Sequence, residues 1–272
     1  MAELIIVFRE VLEASLIVGI LYTYLNKTEQ HGAILRLWQG VISAIGASIV
    51  GSILFQMFAN GFKGQAAKLF EGIVMIAAAG ILGTVIVWMA KNRNIAEELK
   101  EKADEVLSSD KVGYGIFALS FISVFREGIE TILFLYGVMV KQGGLNIVLS
   151  LVGAALGIGI AFLIFVQGKK VPLKTFFNVT SMLLIFVAAG MFTYGIHELE
   201  SAGIIKDYGR IWDINPPKLA DGTYPLLHDK GHIGGLFKGL FGYNGDPSII
   251  ELIFWLSMVT GLSYTWRKFA TK

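Results

Sequence analysis

The chain has 272 residues, 54% hydrophobic and 16% charged, and its mean hydropathy is +0.64. Soluble domains run about 45–50% apolar and about 25% charged, so a soluble enzyme of one or two domains is excluded. The lack of cysteine excludes disulfides, thiolate metal sites and thiol redox chemistry. A formal net charge of +2 gives no footing for nucleic-acid binding.

A bilayer-crossing helix needs about 20 mostly apolar residues. Seven stretches meet that length, at roughly 4–25, 37–58, 69–90, 113–140, 145–166, 173–197 and 248–266. The expectation is an all-α polytopic membrane protein with one membrane domain over 1–272. Met1-Ala2-Glu3 offers no basic n-region, so the first span is expected to stay as a helix rather than be cleaved as a signal peptide. The loops 1–2, 3–4 and 5–6 and the C-terminus together hold 13 lysines and arginines. The opposite side, its long loop aside, holds 3, namely Lys63, Lys68 and Lys141. By the positive-inside rule the N-terminus lies outside and the C-terminus in the cytoplasm, in a plasma (cytoplasmic) membrane. The 91–112 linker carries Ile95, Leu99, Val106 and Leu107 near helical spacing and reads as a cytoplasmic amphipathic helix. The 198–247 loop, with Asn215-Pro216-Pro217 and Asp221-Gly222, reads as an irregular external loop.

The chain repeats internally. Phe8-Arg9-Glu10-Val11-Leu12-Glu13 recurs 117 residues later as Phe125-Arg126-Glu127-Gly128-Ile129-Glu130. The second span of each half carries small residues at four-residue spacing: Gly40, Ala44, Ser48 and Ser52 in one, Gly153, Gly157 and Ala161 in the other. Such ladders let helix backbones approach closely. The third spans share Ala78-Ala79-Gly80 and Ala188-Ala189-Gly190. Residues 1–90 thus form a first three-helix repeat and 113–197 a second, with 248–272 as a seventh helix and tail. Three spans per repeat force the halves to cross the membrane in opposite senses, which is a transporter architecture with its site at the repeat interface.

Arg9, Glu10 and Glu13 lie inside the first span, and Arg126, Glu127 and Glu130 inside the fourth. Each such charge costs about 2.5–3.5 kcal/mol at a helix centre on the insertion scale, so neither helix is comfortable against lipid. The two are expected to face each other in the bundle. At 1.5 Å per residue both Glu10 and Glu127 fall about 9 Å below the outer face of the bilayer core. Arg9–Glu13 and Arg126–Glu130 are i,i+4 pairs. Four glutamates against two arginines leave a surplus of buried carboxylate, and oxygen ligands suit hard cations. Glu10, Glu13, Glu127 and Glu130 are therefore the candidate metal ligands, with Arg9 and Arg126 as supporting ion pairs. Glu10 and Glu127 are expected to be the freer two. Glu71, His197, Glu198, Glu200 and Glu251 all fall at outer ends of spans and read as an entrance for cations. His228, Asp229 and His232 in the external loop could collect metal at helical spacing. Trp38, Trp88, Trp255 and Trp266 read as interfacial belt residues.

Doubled intramembrane R-E-x-x-E motifs, one repeat apart in a seven-span chain, resemble those of the high-affinity iron permease family. This is the family of oxidase-dependent iron transporters and of bacterial iron and lead permeases. The resemblance extends to Phe70-Glu71-Gly72, to His197-Glu198-Leu199 and to the run from Gly242 to Ser248 ahead of Glu251. It implies a permease, not an enzyme, with iron, ferric by preference, as transported substrate and no prosthetic group. Lead or manganese is the alternative cargo, and an intramembrane metalloenzyme the more remote one. It further implies a membrane-lipid environment and a separate extracytoplasmic ferroxidase or iron-binding protein as partner. A homo-oligomer stays open, and nucleic acid is not expected.

Overall fold

The computed structural model describes residues 2–91, 95–107, 112–167, 173–217 and 224–270. Within them the chain forms nine helices and no extended sheet, the only bridge pairing being an isolated Arg210–Ser248 contact. Five helices are long and apolar enough to cross a membrane: α2 (His31–Ala59), α3 (Gln65–Lys91), α6 (Ile147–Phe165), the Asn178–Ser201 part of α7 (Leu173–Ser201), and α9 (Ile249–Ala270). α1 (Ala2–Lys27) and α5 (Val112–Gln142) are 26 and 31 residues long and carry the two charged motifs in their interiors. The chain is thus a multi-pass, all-helical membrane protein.

The packing follows the small-residue ladders. α1 runs along α6, α2 along α5, and α3 along α7, while α9 covers α7 and α3, and α1 crosses α5. A Cβ at Gly40 of α2 would fall 2.6 Å from the Phe117 carbonyl oxygen of α5. A Cβ at Gly153 of α6 would fall 2.6 Å from the Leu4 carbonyl oxygen of α1, and one at Gly157 would fall 3.0 Å from that of Phe8. Only glycine allows approaches this close, and they press α2 onto α5 and α6 onto α1, the two helices that carry the charged motifs. Gly72 and Gly195 play the same part between α3 and α7, each Cβ position lying 2.9–3.0 Å from the other residue's carbonyl oxygen.

One core fills the space between the start of α1, the end of α5, α3 and α7, around Ile6, Met75, Leu82, Ile86, Phe134 and Leu184. A second lies where α1 ends and α2 and α5 begin, around Leu21, Leu25, Leu37 and Ile116. α4 (Ile95–Leu107) closes that second core with Ala103, Val106 and Leu107. It is also tied to α1 by a hydrogen bond from the Tyr24 hydroxyl to Asp104. The side chains of Ile95 and Leu99, and residues 92–94, 108–111, 168–172, 218–223 and 271–272, lie outside the described residues. That removes Arg93, Lys111, Lys169, Lys170, Lys272 and the Asp221-Gly222 turn from structural comment.

The 198–247 segment is more ordered than its turn-rich composition suggests. α7 continues to Ser201, and α8 (His232–Phe241) ends in a left-handed Gly242 with φ 71°. That glycine sits against Gly190, whose nitrogen would be 2.9 Å from a Cβ at 242. Asp229 holds the segment together: its carboxylate accepts from the Gly245 amide at 2.7 Å and from Lys238 Nζ at 2.8 Å. Trp255 donates to the Phe241 carbonyl at 3.0 Å, so this tryptophan anchors α8 to α9 in addition to any interfacial role.

Candidate metal centre

Glu10 and Glu13 lie three residues apart on α1, and Glu127 and Glu130 three apart on α5, so each pair shares a helix face. The crossing of α1 and α5 brings those faces together. One carboxylate oxygen from each of Glu10, Glu127 and Glu130 lies within 4.8 Å of the other two. All three residues are buried, Glu10 to 1% exposure. A metal–oxygen bond is about 2.0–2.6 Å, so oxygens spaced this way can share one hard cation.

The arginines hold part of this charge. Arg9 Nη1 donates to Glu10 Oε1 at 2.7 Å, and Arg9 Nε lies 2.8 Å from Glu13 Oε1. The second contact is close but not aligned as a hydrogen bond, which leaves both of its atoms without a hydrogen-bond partner. Arg126 Nε donates to Glu130 Oε1 at 2.9 Å. Glu10 is therefore less free than its spacing suggested, since it shares Arg9 with Glu13. Its other oxygen, Glu10 Oε2, is buried and unpartnered, as is Glu130 Oε2. Orphaned carboxylate oxygens are expensive inside a protein, and a bound cation satisfies them. Glu13 stands beside the three-carboxylate group rather than within it.

The two halves differ around the arginines. Arg9 is 1% exposed, whereas the Arg126 side chain is 49% exposed. Both reach the end of α3: Arg9 Nη2 lies 2.8 Å from Met89 Sδ, and the Arg126 guanidinium sits 5.3 Å from the centre of the Trp88 ring. Sequence reasoning treated Trp88 only as a belt residue and passed over Met89. Their place three and two residues before Lys91 gives no local signal of this role.

A second group lies where α7 ends and α9 begins. His197, Glu200 and Glu251 each offer a ligand atom within 4.8 Å of the others. His197 Nδ1 is 2.9 Å from Glu251 Oε1, Asn244 donates to Glu251 Oε2 at 2.6 Å, and Ser248 Oγ donates to Glu200 at 3.0 Å. Ser248 also receives the Glu251 amide at 3.2 Å and so caps the start of α9. Glu71 and Glu198 are not in this group; they flank the close approach of α3 and α7 at Gly72, Gly195 and Leu199. His228 is engaged otherwise: its Nδ1 accepts the Lys230 amide at 2.9 Å and its ring lies 4.3 Å from that of Tyr224. The His232 side chain lies outside the described residues.

Comparison with known proteins decides what this arrangement belongs to. The model of the iron permease FTR1 family matches residues 1–271. The chain belongs to the iron permease FTR1 family. Among relatives of this iron permease, the ferrous iron permease EfeU of Escherichia coli O6:H1 is 31% identical over 254 residues, covering 92% of this chain and 89% of its own. EfeU of Yersinia pestis is 30% identical over 265 residues, 95% and 90% of the two chains. An uncharacterized protein of Archaeoglobus fulgidus is 32% identical over 267 residues, 96% and 92%. No solved structure matches this iron permease.

Proposed function

We propose that this family member imports iron across the cytoplasmic membrane, and that the ion passes through the glutamates of α1 and α5. The observation that carries the reading is the meeting of Glu10, Glu127 and Glu130 within 4.8 Å, with two buried oxygens unpartnered. Two further features support it. The helix pairing is what two inverted repeats related by a two-fold axis require: α1 with α6 is matched by α5 with α2, and α3 meets its counterpart α7. α1 and α5 join the five apolar helices as spans, their glutamates and Arg9 turned toward each other rather than toward lipid. That makes seven spans, with the N-terminus outside by the distribution of lysine and arginine.

In this mechanism a cation enters past Glu71, His197, Glu198, Glu200 and Glu251 and reaches the site of Glu10, Glu127 and Glu130, with Glu13 beside it. Four carboxylates facing two guanidinium groups leave a surplus of negative charge, and an all-oxygen donor set favours the hard ferric ion. The cation takes the unpartnered oxygens of Glu10 and Glu130 and the Glu127 oxygen that lies within 4.8 Å of its neighbours'. Glu13 keeps Arg9 paired while Glu10 is drawn to the ion. A separate extracytoplasmic ferroxidase or iron-binding protein would deliver the ion in that form. Proteoliposomes carrying the purified protein test this directly. Radiolabelled iron should enter as the ferric chelate, and faster than under reductant. Uptake unchanged by Glu10→Gln and by Glu127→Gln would remove the site from the pathway, and uptake confined to reduced iron would reverse the choice of oxidation state.

A further inference from the structure

We propose that Trp88 and Arg126 form the gate through which the ion leaves the glutamate site. This rests on the reading of that site as the iron site and adds to it a route and a latch. Four observations lead there. The direct way down between α1, α2 and α5 is plugged: Leu21, Leu25, Leu37, Ala103 and Ile116 are all 0% exposed and pack together under α4. An ion cannot cross such an apolar plug without losing its ligands. On the side of α3, by contrast, a charged side chain reaches the surface. Arg126 is half-exposed although Glu130, which it pairs with, is buried. Trp88, which caps the guanidinium, lies three residues from Lys91, the basic last residue of α3. At 1.5 Å per residue that is about 4.5 Å, so the contact puts Arg126 near the Lys91 end of α3 rather than about 9 Å below the outer face, where the sequence alone placed Glu127. Ile122 and Ile129, exposed one turn on either side of Arg126, mark the apolar flanks of this exposed position.

The latch follows from the pairing. In the empty site Arg126 is held from one side by Glu130 at 2.9 Å and from the other by the Trp88 ring. When an ion on Glu130 Oε2 draws charge from Oε1, the hold of Glu130 on the guanidinium weakens, and what remains is a cation–π contact that is weak at an exposed position. Occupation of the site therefore loosens its own exit. Arg9 has no such freedom, being buried between two glutamates and Met89. The exit lies in one half only, despite the repeat.

The cysteine-free chain makes the test clean, since any introduced thiol is the sole one. Trp88→Cys and Lys91→Cys proteins in oriented vesicles are exposed to a membrane-impermeant methanethiosulfonate from each face. The gate requires Trp88→Cys to react from the same face as Lys91→Cys, at least tenfold faster than from the other, and to react faster still with iron bound. Reaction from the opposite face, or only with a lipid-soluble maleimide, overturns it. Release of iron from loaded protein gives a second readout: Trp88→Ala should speed it at least fivefold and Trp88→Phe should stay within twofold of the parent. Equal release rates in all three overturn the latch. Equilibrium iron binding in Glu10→Gln is measured alongside: unaltered binding there refutes the site reading, whereas wrong-face labelling with binding lost in Glu10→Gln refutes the gate alone.

Discussion

Glu10→Gln is the most informative single change at the centre. It keeps the shape of the side chain and an oxygen donor but removes one unit of charge from a group that has a buried, unpartnered oxygen. An ion centred among three oxygens no more than 4.8 Å apart lies about 2.8 Å or less from each, where one unit charge contributes about 6 kcal/mol per unit charge on the ion at an effective dielectric of about 20. The amide oxygen and rehydration of the ion return much of that, leaving a net loss of about 3 kcal/mol, or about a hundredfold in affinity. Arg9 stays paired with Glu13 at 2.8 Å, so the variant is not left with an isolated buried cation and should fold. Equilibrium binding of iron to purified protein, together with uptake into proteoliposomes, reads the effect. Glu10→Gln combined with Glu127→Gln should add little beyond either alone, because an ion that needs both ligands is lost with the first. Binding within threefold of the parent in Glu10→Gln, or two losses that simply add, would refute the shared site.

Other outcomes follow from the asymmetry and the packing. Arg9→Gln strands Glu10 and Glu13 in the interior and should destabilise the protein by about 3–5 kcal/mol, whereas Arg126→Gln, at a half-exposed pair, should cost about 1 kcal/mol or less; thermal unfolding in detergent compares them. Gly153→Ala drives a methyl to 2.6 Å from the Leu4 carbonyl oxygen and should cost about 1–3 kcal/mol by separating α1 from α6, which the same unfolding measurement checks. Glu251→Gln weakens the His197–Glu251 contact between α7 and α9 and should lower uptake several-fold at limiting iron while leaving the rate at saturating iron unchanged.

Much of the site was legible because its expense is local. A charge in an apolar run is visible in any window of sequence, and its cost holds whatever surrounds it. The Arg9–Glu13 and Arg126–Glu130 pairs were equally legible, since helix geometry alone sets i,i+4 neighbours. The 198–247 segment was harder. Its glycines and prolines read as turns, yet α8 forms there, held by Asp229, Lys238 and the Trp255 indole from far along the chain. His228 looked like a ligand at helical spacing and instead accepts a neighbouring amide.

What the sequence determines by itself is the helical character, the position of the two charged motifs along α1 and α5, and the pairing of charges within each helix. Each depends on contacts within a few residues. Only the tertiary structure decides that Glu10, Glu127 and Glu130 meet while Glu13 stands aside, and that Arg9 is sealed while Arg126 opens beside Trp88. Those outcomes depend on the rotation and axial shift of one helix against another. Here they are set by how far backbones approach at Gly40, Gly153 and Gly157. A turn of about 100° per residue carries a side chain from a shared site to its edge, and nothing within one helix specifies that angle relative to the next.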